Sequence, residues 1–485
     1  MARPRHLNTR LPGPATWRPL CRLWHTSDVI FQQIVNEESG CLSYLIGCSQ
    51  AGQGVIVDPA RDRIDDYVAM ARKKGLAITD IVETHVHADH ISGNQALSAK
   101  TGARIHIHPA ANAAFANDPV EHGRELRVGS VALQVIHTPG HTPDSIALLV
   151  TDLGRGTEPW FVLTGDTLFV GDVGRPDFGG EQAAASLYAS LTERLLRLPD
   201  SVEVYPAHGA GSSCGRAMSS KTATTIGFER RFNAALQASD VEDFVRKLMT
   251  GLPPKPPNFD RIIARNRAQA LPPTAPPRPL SGAQTREAAD KGAYVLDVRS
   301  PEEFGEAHIR GAINVWIESP QFANRVGLFV PAEAPVVLVV ASPTDLDRAV
   351  QGLSRIGLDT IAGHLQWGMT EWKSQGLPVE RVPQISVHDL ATMRDERPDL
   401  VVIDVREPSE WDEGHIDGAL HLPMSEALAR KELVPDGRPK AVLCAGGLRS
   451  STVISALTRA GLTNFHNVIG GMTAWQKGGY STVKR

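Results

Sequence analysis

Apolar positions in this chain fall into short β-branched runs, and many of these lead straight into a stretch with helical spacing. Ala293–Val298 and Val336–Val340 each open such a unit, and Leu400–Val405 and Ala441–Cys444 repeat the alternation. Strands alternating with helices predict a parallel sheet covered by helices. Nearer the N-terminus the apolar runs end in turns that carry His or Asp: Ile81-Val-Glu-Thr before His85, Val135-Ile-His-Thr-Pro-Gly before His141, and Phe161-Val-Leu-Thr-Gly before Asp166. The longest apolar runs, such as Val336–Ala341, are far short of the roughly 18 to 20 residues that cross a bilayer.

At 485 residues, and about 100 to 200 per domain, the chain should hold about three domains. Prolines concentrate at Pro253, Pro254, Pro256 and Pro257, and again at Pro272, Pro273, Pro276, Pro277 and Pro279. Such clusters favour extended, semi-rigid chain, so residues 253–280 read as a linker, with one short helix in Phe259–Leu271 packing back on what precedes it. After the linker the chain repeats itself. The stretch from Asp297 to Ala312 recurs from Asp404 to Ala419 with ten of sixteen positions identical. Two copies of one domain are expected, at 281–383 and 384–485, behind a larger domain at 27–252.

Composition narrows the function. A hydrophobic fraction of 42% and a formal net charge of -4 describe an ordinary globular protein without the positive field that nucleic acid or an anionic membrane attracts. Neither is an expected partner. Five cysteines are too few and too odd for a secreted disulfide framework, so a cytoplasmic, reducing setting is expected, and any special cysteine should be reactive. Residues 1–26 are rich in Arg, free of acid and broken by prolines; they read as a disordered tail, with organelle targeting left open. Homo-oligomerisation is open as well.

Candidate metal ligands are dense in the first domain. His85-Val-His87-Ala-Asp89-His90 is followed by His141, Asp166 and His208, each at the end of an apolar run where a strand can hold a ligand near 2 Å from a metal. This constellation resembles the metallo-β-lactamase superfamily, which implies an αββα sandwich with the metal between its two sheets. Two chemistries then compete. In a hydrolase similar to glyoxalase II, His85, His87 and His141 would hold one Zn(2+), Asp89, His90 and His208 a second, and Asp166 would bridge them. In an oxygenase, His85, His141 and Asp166 would hold one Fe(2+) per chain as a two-His, one-carboxylate triad with open positions, leaving the remaining four outside the metal's ligand set. Ligand types alone do not separate these.

The stretch Gly165–Asp177 resembles the persulfide dioxygenase branch of that superfamily, which implies Arg175 and Asp177 near the thiol-substrate site and favours the oxygenase. The small-residue loop Gly209-Ala-Gly-Ser-Ser-Cys214-Gly resembles the members fused to two rhodanese domains, and this resemblance implies that Cys214 carries sulfur near the metal. Cys41 and Cys48, which flank Leu42–Ile46, read as core packing.

In the last domain, Cys444-Ala445-Gly446-Gly447-Leu448-Arg449 joins a strand end to a helix. Backbone N–H groups and a helix N-terminus aimed at the sulfur, with Arg449 adding charge, lower a thiol pKa and stabilise a persulfide. With the Asp-Val-Arg stretch, Gly-His-Ile-x-Gly-Ala and Gly470-Gly-Met-x-x-Trp475, this resembles the rhodanese family, which implies that Cys444 is the sulfur carrier and residues 445–449 its cradle. The middle copy aligns Val340 with Cys444 and Asp345 with Arg449, so it should be catalytically dead. The expectation is an α/β fusion: an αββα metallo-β-lactamase sandwich followed by two rhodanese-like parallel-sheet domains. It would oxidise a low-molecular-weight persulfide of glutathione, coenzyme A or cysteine with dioxygen to sulfite, and Cys444 would pass sulfane sulfur to that sulfite to give thiosulfate. A thioester hydrolase with a tethered sulfurtransferase is the runner-up, and rhodanese domains that serve only for docking are a third reading.

Overall fold

The computed structural model describes residues 28–36, 39–176, 179–210, 212, 215, 218–250, 252, 255–256, 258–269 and 276–484. The expectation for the tail falls outside these residues, as do those for Asp177 and Cys214 and for much of the proline-rich linker.

Two six-stranded sheets form the first domain. One runs in the order Val29–Val35, Leu42–Cys48, Gln53–Val57, Ala77–Val82, Arg104–Ile107, Asp118–Pro119; the other runs Thr224–Thr225, Glu203–Pro206, Phe161–Gly165, Ile146–Asp152, Val131–His137, Glu125–Val128. Alternation along the strands sends one set of side chains to each face. Leu42, Tyr44 and Ile46 of the first sheet meet Leu148, Val150, Phe161 and Leu163 of the second in a core between the sheets. The intervening Leu45 packs with Ile56 and Ile81 under the helices of Tyr67, Ala71 and Leu97. Val162 and Val204 face Leu187, Leu191 and Phe244 on the far side. The result is the expected αββα sandwich.

Each repeated unit has a five-stranded parallel sheet. The orders Pro279–Leu280, Ile361–Leu365, Val336–Val339, Tyr294–Asp297, Ile313–Asn314 and Gln384–Ile385, Phe465–Val468, Lys440–Leu443, Val401–Asp404, Leu420–His421 are identical. Asp297 pairs with Val339 as Asp404 pairs with Leu443, so Val340 and Cys444 occupy the same strand-end position. The two Asp-Val-Arg stretches are structural in both copies. Arg299 and Arg406 fork onto Asp297 and Asp404 and also donate to the carbonyls of Ala307 and Gly414, closing the turn after the strand.

One apolar core runs through both copies. Phe322, Val326 and Phe329 share it with Val442, Cys444, Val453, Ile454 and Leu457. The helix Leu448–Arg459 is buried from Ser450 to Leu457 and has no solvent face to spare. Its small polar residues serve the contact: Ser455 Oγ accepts from the Asn314 amide at 2.9 Å, and Ser451 Oγ donates to Asn314 Oδ1 at 2.6 Å.

The middle unit also grips the first domain. The helix Phe259–Arg267 lies where a connector helix is expected, and it packs on both neighbours. Asn266 donates to the carbonyls of His87 and His90 and accepts from the Ser92 amide, while Arg261 and Arg265 donate to the carbonyls of Ile356 and Gly357. Gly357 has φ +70°, and a Cβ there would meet Arg265 Nη1 at 2.9 Å. Asp359 receives Arg61 at 2.9 Å and Arg265 at 2.7 Å, and Arg355 pairs with Asp62 at 2.6 Å.

Asp359→Ala leaves two largely buried guanidinium groups without their carboxylate. We expect a loss of about 1–3 kcal/mol and a fall of a few degrees in the first thermal transition. Calorimetry of the full chain with an unchanged first midpoint would contradict this account of the interface.

Candidate functional site

The segment Thr84–His90 follows the strand Ala77–Val82, and buried carboxylates fix its backbone. Asp58 accepts from the Thr84 N–H at 2.7 Å and its hydroxyl at 2.8 Å, and Asp144 accepts from the Val86 N–H at 2.7 Å. With Asn266 below, the loop is held from several sides while its side chains point inward. His85, His141 and Asp166 converge into one buried group of potential ligands. Asp166 Oδ2 lies 3.7 Å from His85 Nε2 and 3.5 Å from His141 Nε2, and among the described residues this buried oxygen has no hydrogen-bond partner. The outward nitrogens are anchored, His141 Nδ1 by the Arg175 carbonyl at 2.8 Å and His85 Nδ1 by Thr84 Oγ1 at 3.0 Å. Anchored outer nitrogens, inward Nε2 atoms and an orphaned carboxylate oxygen are what a metal requires. Gly174 also matters for this packing, because a Cβ there would collide with the Asp166 carbonyl at 1.8 Å.

Electrostatics suit the same role. Burial, reinforced by neighbouring His87, holds His85 well below the usual imidazole range, and burial also lowers His141, so both offer neutral ligands. Burial opposes ionisation of Asp166, yet His208 and His85 outweigh it and hold the carboxyl below its ordinary value.

The other four candidates do not join this group. His87 turns to Asp58 and Glu83, at 3.3 and 3.2 Å. Burial works against its protonation, but those two carboxylates push it well above the usual range. His208 bridges two acids, with Nδ1 2.6 Å from Asp166 Oδ1 and Nε2 3.0 Å from Asp89 Oδ2. Asp89 is 3.1 Å from His90 Nδ1. Cys41, expected in the core, belongs here instead: its Sγ lies 3.2 Å from Asp89 Oδ2, and with Asp89, His90 and His208 it forms a second buried ligand group. The bridge that pairs Cys41 with His208 brings it there, a contact between distant strand ends that no local pattern announces. Asp58, Glu83 and Asn266 were also missed. Asp58 and Glu83 do end apolar strands, as Asp166 does. Cys48 is buried, with Ser130 Oγ at 3.4 Å, as core packing predicts.

The second chemical centre is Cys444, 1% exposed at the end of its strand. The Gly447 amide points at its Sγ from 3.0 Å, and the Ser450 hydroxyl from 3.7 Å. Gly447, at φ +102°, caps the helix Leu448–Arg459. Gly471 lets the next helix close in: a Cβ there would sit 2.1 Å from the Cys444 carbonyl. Ala445, Gly446 and Gly447 join the end of the strand to the helix, which Leu448 opens. Arg449 is also paired across the site: its Nη1 and Nη2 each donate to the Glu410 carboxylate at 2.6 Å. In the middle unit Val340 replaces the thiol, and Asp345 is tied to its own helix start through Ser342.

A metal-binding α/β enzyme is the class that this fold and site define. The chain belongs to the metallo-β-lactamase superfamily, whose profile matches residues 37–208, and carries two rhodanese-like domains, matched at 281–375 and 386–478. The human mitochondrial persulfide dioxygenase ETHE1 is 30% identical over 249 residues, which cover 51% of this chain and 91% of that one. A hydroxyacylglutathione hydrolase from Polaromonas sp. is 39% identical over 169 residues, 34% of this chain; the match spans 61% of the hydrolase. The crystal structure of a metallo-beta-lactamase from Staphylococcus aureus subsp. aureus COL superposes with a TM-score of 0.63 at 32% identity, covering 70% of this chain and 99% of that one. No helix among the described residues is long and apolar enough to cross a membrane.

Asp166→Asn should abolish stoichiometric metal binding, whereas His208→Ala, which removes the imidazole between Asp166 and Asp89 but no member of the His85, His141 and Asp166 group, should weaken it about 10- to 100-fold. Metal content after dialysis against a graded chelator reads both, and wild-type retention by Asp166→Asn would contradict the assignment.

Proposed function

We propose that the chain is an iron-dependent persulfide dioxygenase joined to a sulfurtransferase, the first reaction in residues 27–252 and the second in residues 384–485. The observation that carries this reading is the segregation of ligands: His85, His141 and Asp166 share one centre, and His87, needed for a three-histidine zinc site, falls in a separate buried group with Asp58 and Glu83. A metal with two imidazoles and one carboxylate keeps adjacent positions open, and Fe(2+) there would supply dioxygen activation beside a bound persulfide. The overall change is RSSH + O2 + H2O to RSH, sulfite and two protons. Arg175, buried beside His141, fixes that ring through its carbonyl. Its guanidinium would read an anionic thiol substrate. Asp177 would assist it, and Cys214 would relay sulfur nearby. The substrate carrier is a small thiol such as glutathione, coenzyme A or cysteine.

Cys444 then accepts sulfane sulfur from a second persulfide. The Gly447 amide holds the inner sulfur's charge, and sulfite attacks the outer sulfur to give thiosulfate and regenerate the thiolate. The domain of residues 281–383 carries no sulfur, because Val340 occupies the thiol's place. Joining both centres on one chain keeps sulfite near its acceptor step.

A second reading, a zinc-dependent thioester hydrolase, draws on the Cys41, Asp89, His90 and His208 group and on the hydrolase relative. Cys444→Ala separates the proposed sequence from both this and a docking-only role. Supplied with glutathione persulfide in an oxygen electrode, the variant should consume dioxygen at the wild-type rate while its product shifts from thiosulfate to free sulfite. Thiosulfate formed at the wild-type rate would refute transfer through Cys444.

A further inference from the structure

The anion site at Cys444 has a surplus and a shortage. The surplus is Glu410, whose carboxylate occupies both arms of Arg449. That pairing offsets much of the arginine's charge toward an incoming dianion, so a second cation at the site has a role to fill. The shortage belongs to Arg325, which lies on the helix Phe322–Phe329 of the other rhodanese-like domain. Its Nη1 is buried and has no hydrogen-bond partner among the described residues. A buried guanidinium N–H without an acceptor is costly, and such groups are normally paired.

Its surroundings show what would pair it. The next residue, Val326, packs in the same apolar core as Cys444, and Phe322 and Phe329 of the same helix join them. Asn314, from the same domain, is clamped to Ser451 and Ser455 of the helix that starts at the Cys444 loop. The charges that act on Arg325 are Arg449, Cys444 and Glu410, all from the partner domain. Burial, added to repulsion from Arg449, lowers the guanidinium pKa to about 10, the signature of a cation held in place with too little negative charge beside it. Glu407, the other nearby acid, is engaged by the Ser425 hydroxyl at 2.9 Å.

We propose that Arg325, supplied by the domain that lacks the thiol, completes the Cys444 site across the interface and binds the oxyanion acceptor, a sulfite-type dianion, against the persulfide. This rests on the reading of Cys444 as a sulfur carrier. In the step it serves, the sulfite sulfur lone pair forms a bond to the outer sulfur of the Cys444 persulfide. The inner S–S bond breaks, and its electron pair returns to Sγ as thiolate. Charge is conserved, with the persulfide anion and sulfite dianion becoming thiolate and thiosulfate dianion. Arg325 neutralises one anion as it approaches another, and a bidentate guanidinium fits two sulfite oxygens. The domain thus retains a binding role although it has lost its own chemistry.

The test uses the full chain with Arg325→Gln and Arg325→Lys. Cys444 is loaded with a persulfide donor, its sulfane sulfur is counted, and transfer is followed to sulfite and to cyanide, an acceptor without oxyanion oxygens. Arg325→Gln should raise KM for sulfite more than it lowers kcat, and the sulfite-to-cyanide ratio of kcat/KM should fall roughly tenfold or more, the loss of one charge-assisted contact. Arg325→Lys, which keeps the charge in the same packing, should recover part of that ratio. An unchanged ratio in Arg325→Gln overturns the proposal while leaving Cys444 as carrier. Failure of wild-type Cys444 to take up any sulfane sulfur overturns the reading beneath it.

Discussion

The N–H of Ile91 donates to the carbonyl of Arg355 across 2.6 Å, and much of the molecule is organised about that contact. Ile91 directly follows His90, the last residue of the ligand-bearing loop. Arg355 ends the helix Pro343–Arg355, which in the other copy corresponds to the helix that begins beside the sulfur carrier. Around the contact lie Arg355 with Asp62, Asp359 with Arg61 and Arg265, and Asn266 beneath the loop carbonyls. A loop that must present imidazoles within a few tenths of an ångström gains from being fixed on its backbone side by another domain. The domain without a thiol therefore touches the metal loop on one side and the Cys444 helix on the other.

The two centres solve opposite electrostatic problems. Around Asp166 the difficulty is burying acids, and each is answered by an imidazole: His208 between Asp166 and Asp89, His90 beside Asp89, His87 between Asp58 and Glu83. Such a network fixes which nitrogens remain available and so decides the ligand set. Around Cys444 the difficulty is holding a sulfur anion in an apolar core. The Gly447 N–H and the Ser450 hydroxyl answer it, and the glycines at 447 and 471 are what let the backbone come that near.

Much of this was legible in the sequence because it is local or repeated. The sandwich follows from the resemblance that the ligand-bearing turns carry, the duplicated parallel sheets from the internal repeat, and the Cys444 loop from its strand-end pattern; the alignment of Val340 with Cys444 holds in the strand register. What escaped was non-local. Cys41 looks like a core thiol beside an apolar strand until Leu42–Cys48 and the turn at His208 are brought together. Arg449 looks like a free cation until Glu410, from the helix after the Asp-Val-Arg stretch, closes on it. Asn266 sits in a linker helix whose sequence gives no hint of the loop it supports. Side chains whose partners lie across a sheet or a domain boundary leave no periodic signature.

The central claim is that the His85, His141 and Asp166 centre oxidises a persulfide with one iron. It is tested most directly by preparing the full chain with Fe(2+) and separately with Zn(2+), and measuring dioxygen uptake against total sulfite plus thiosulfate formed from a thiol persulfide. The account predicts one iron per chain, one dioxygen consumed per sulfur oxidised, and no uptake by the zinc form. A zinc form that hydrolyses a glutathione thioester while the iron form consumes no dioxygen would contradict it.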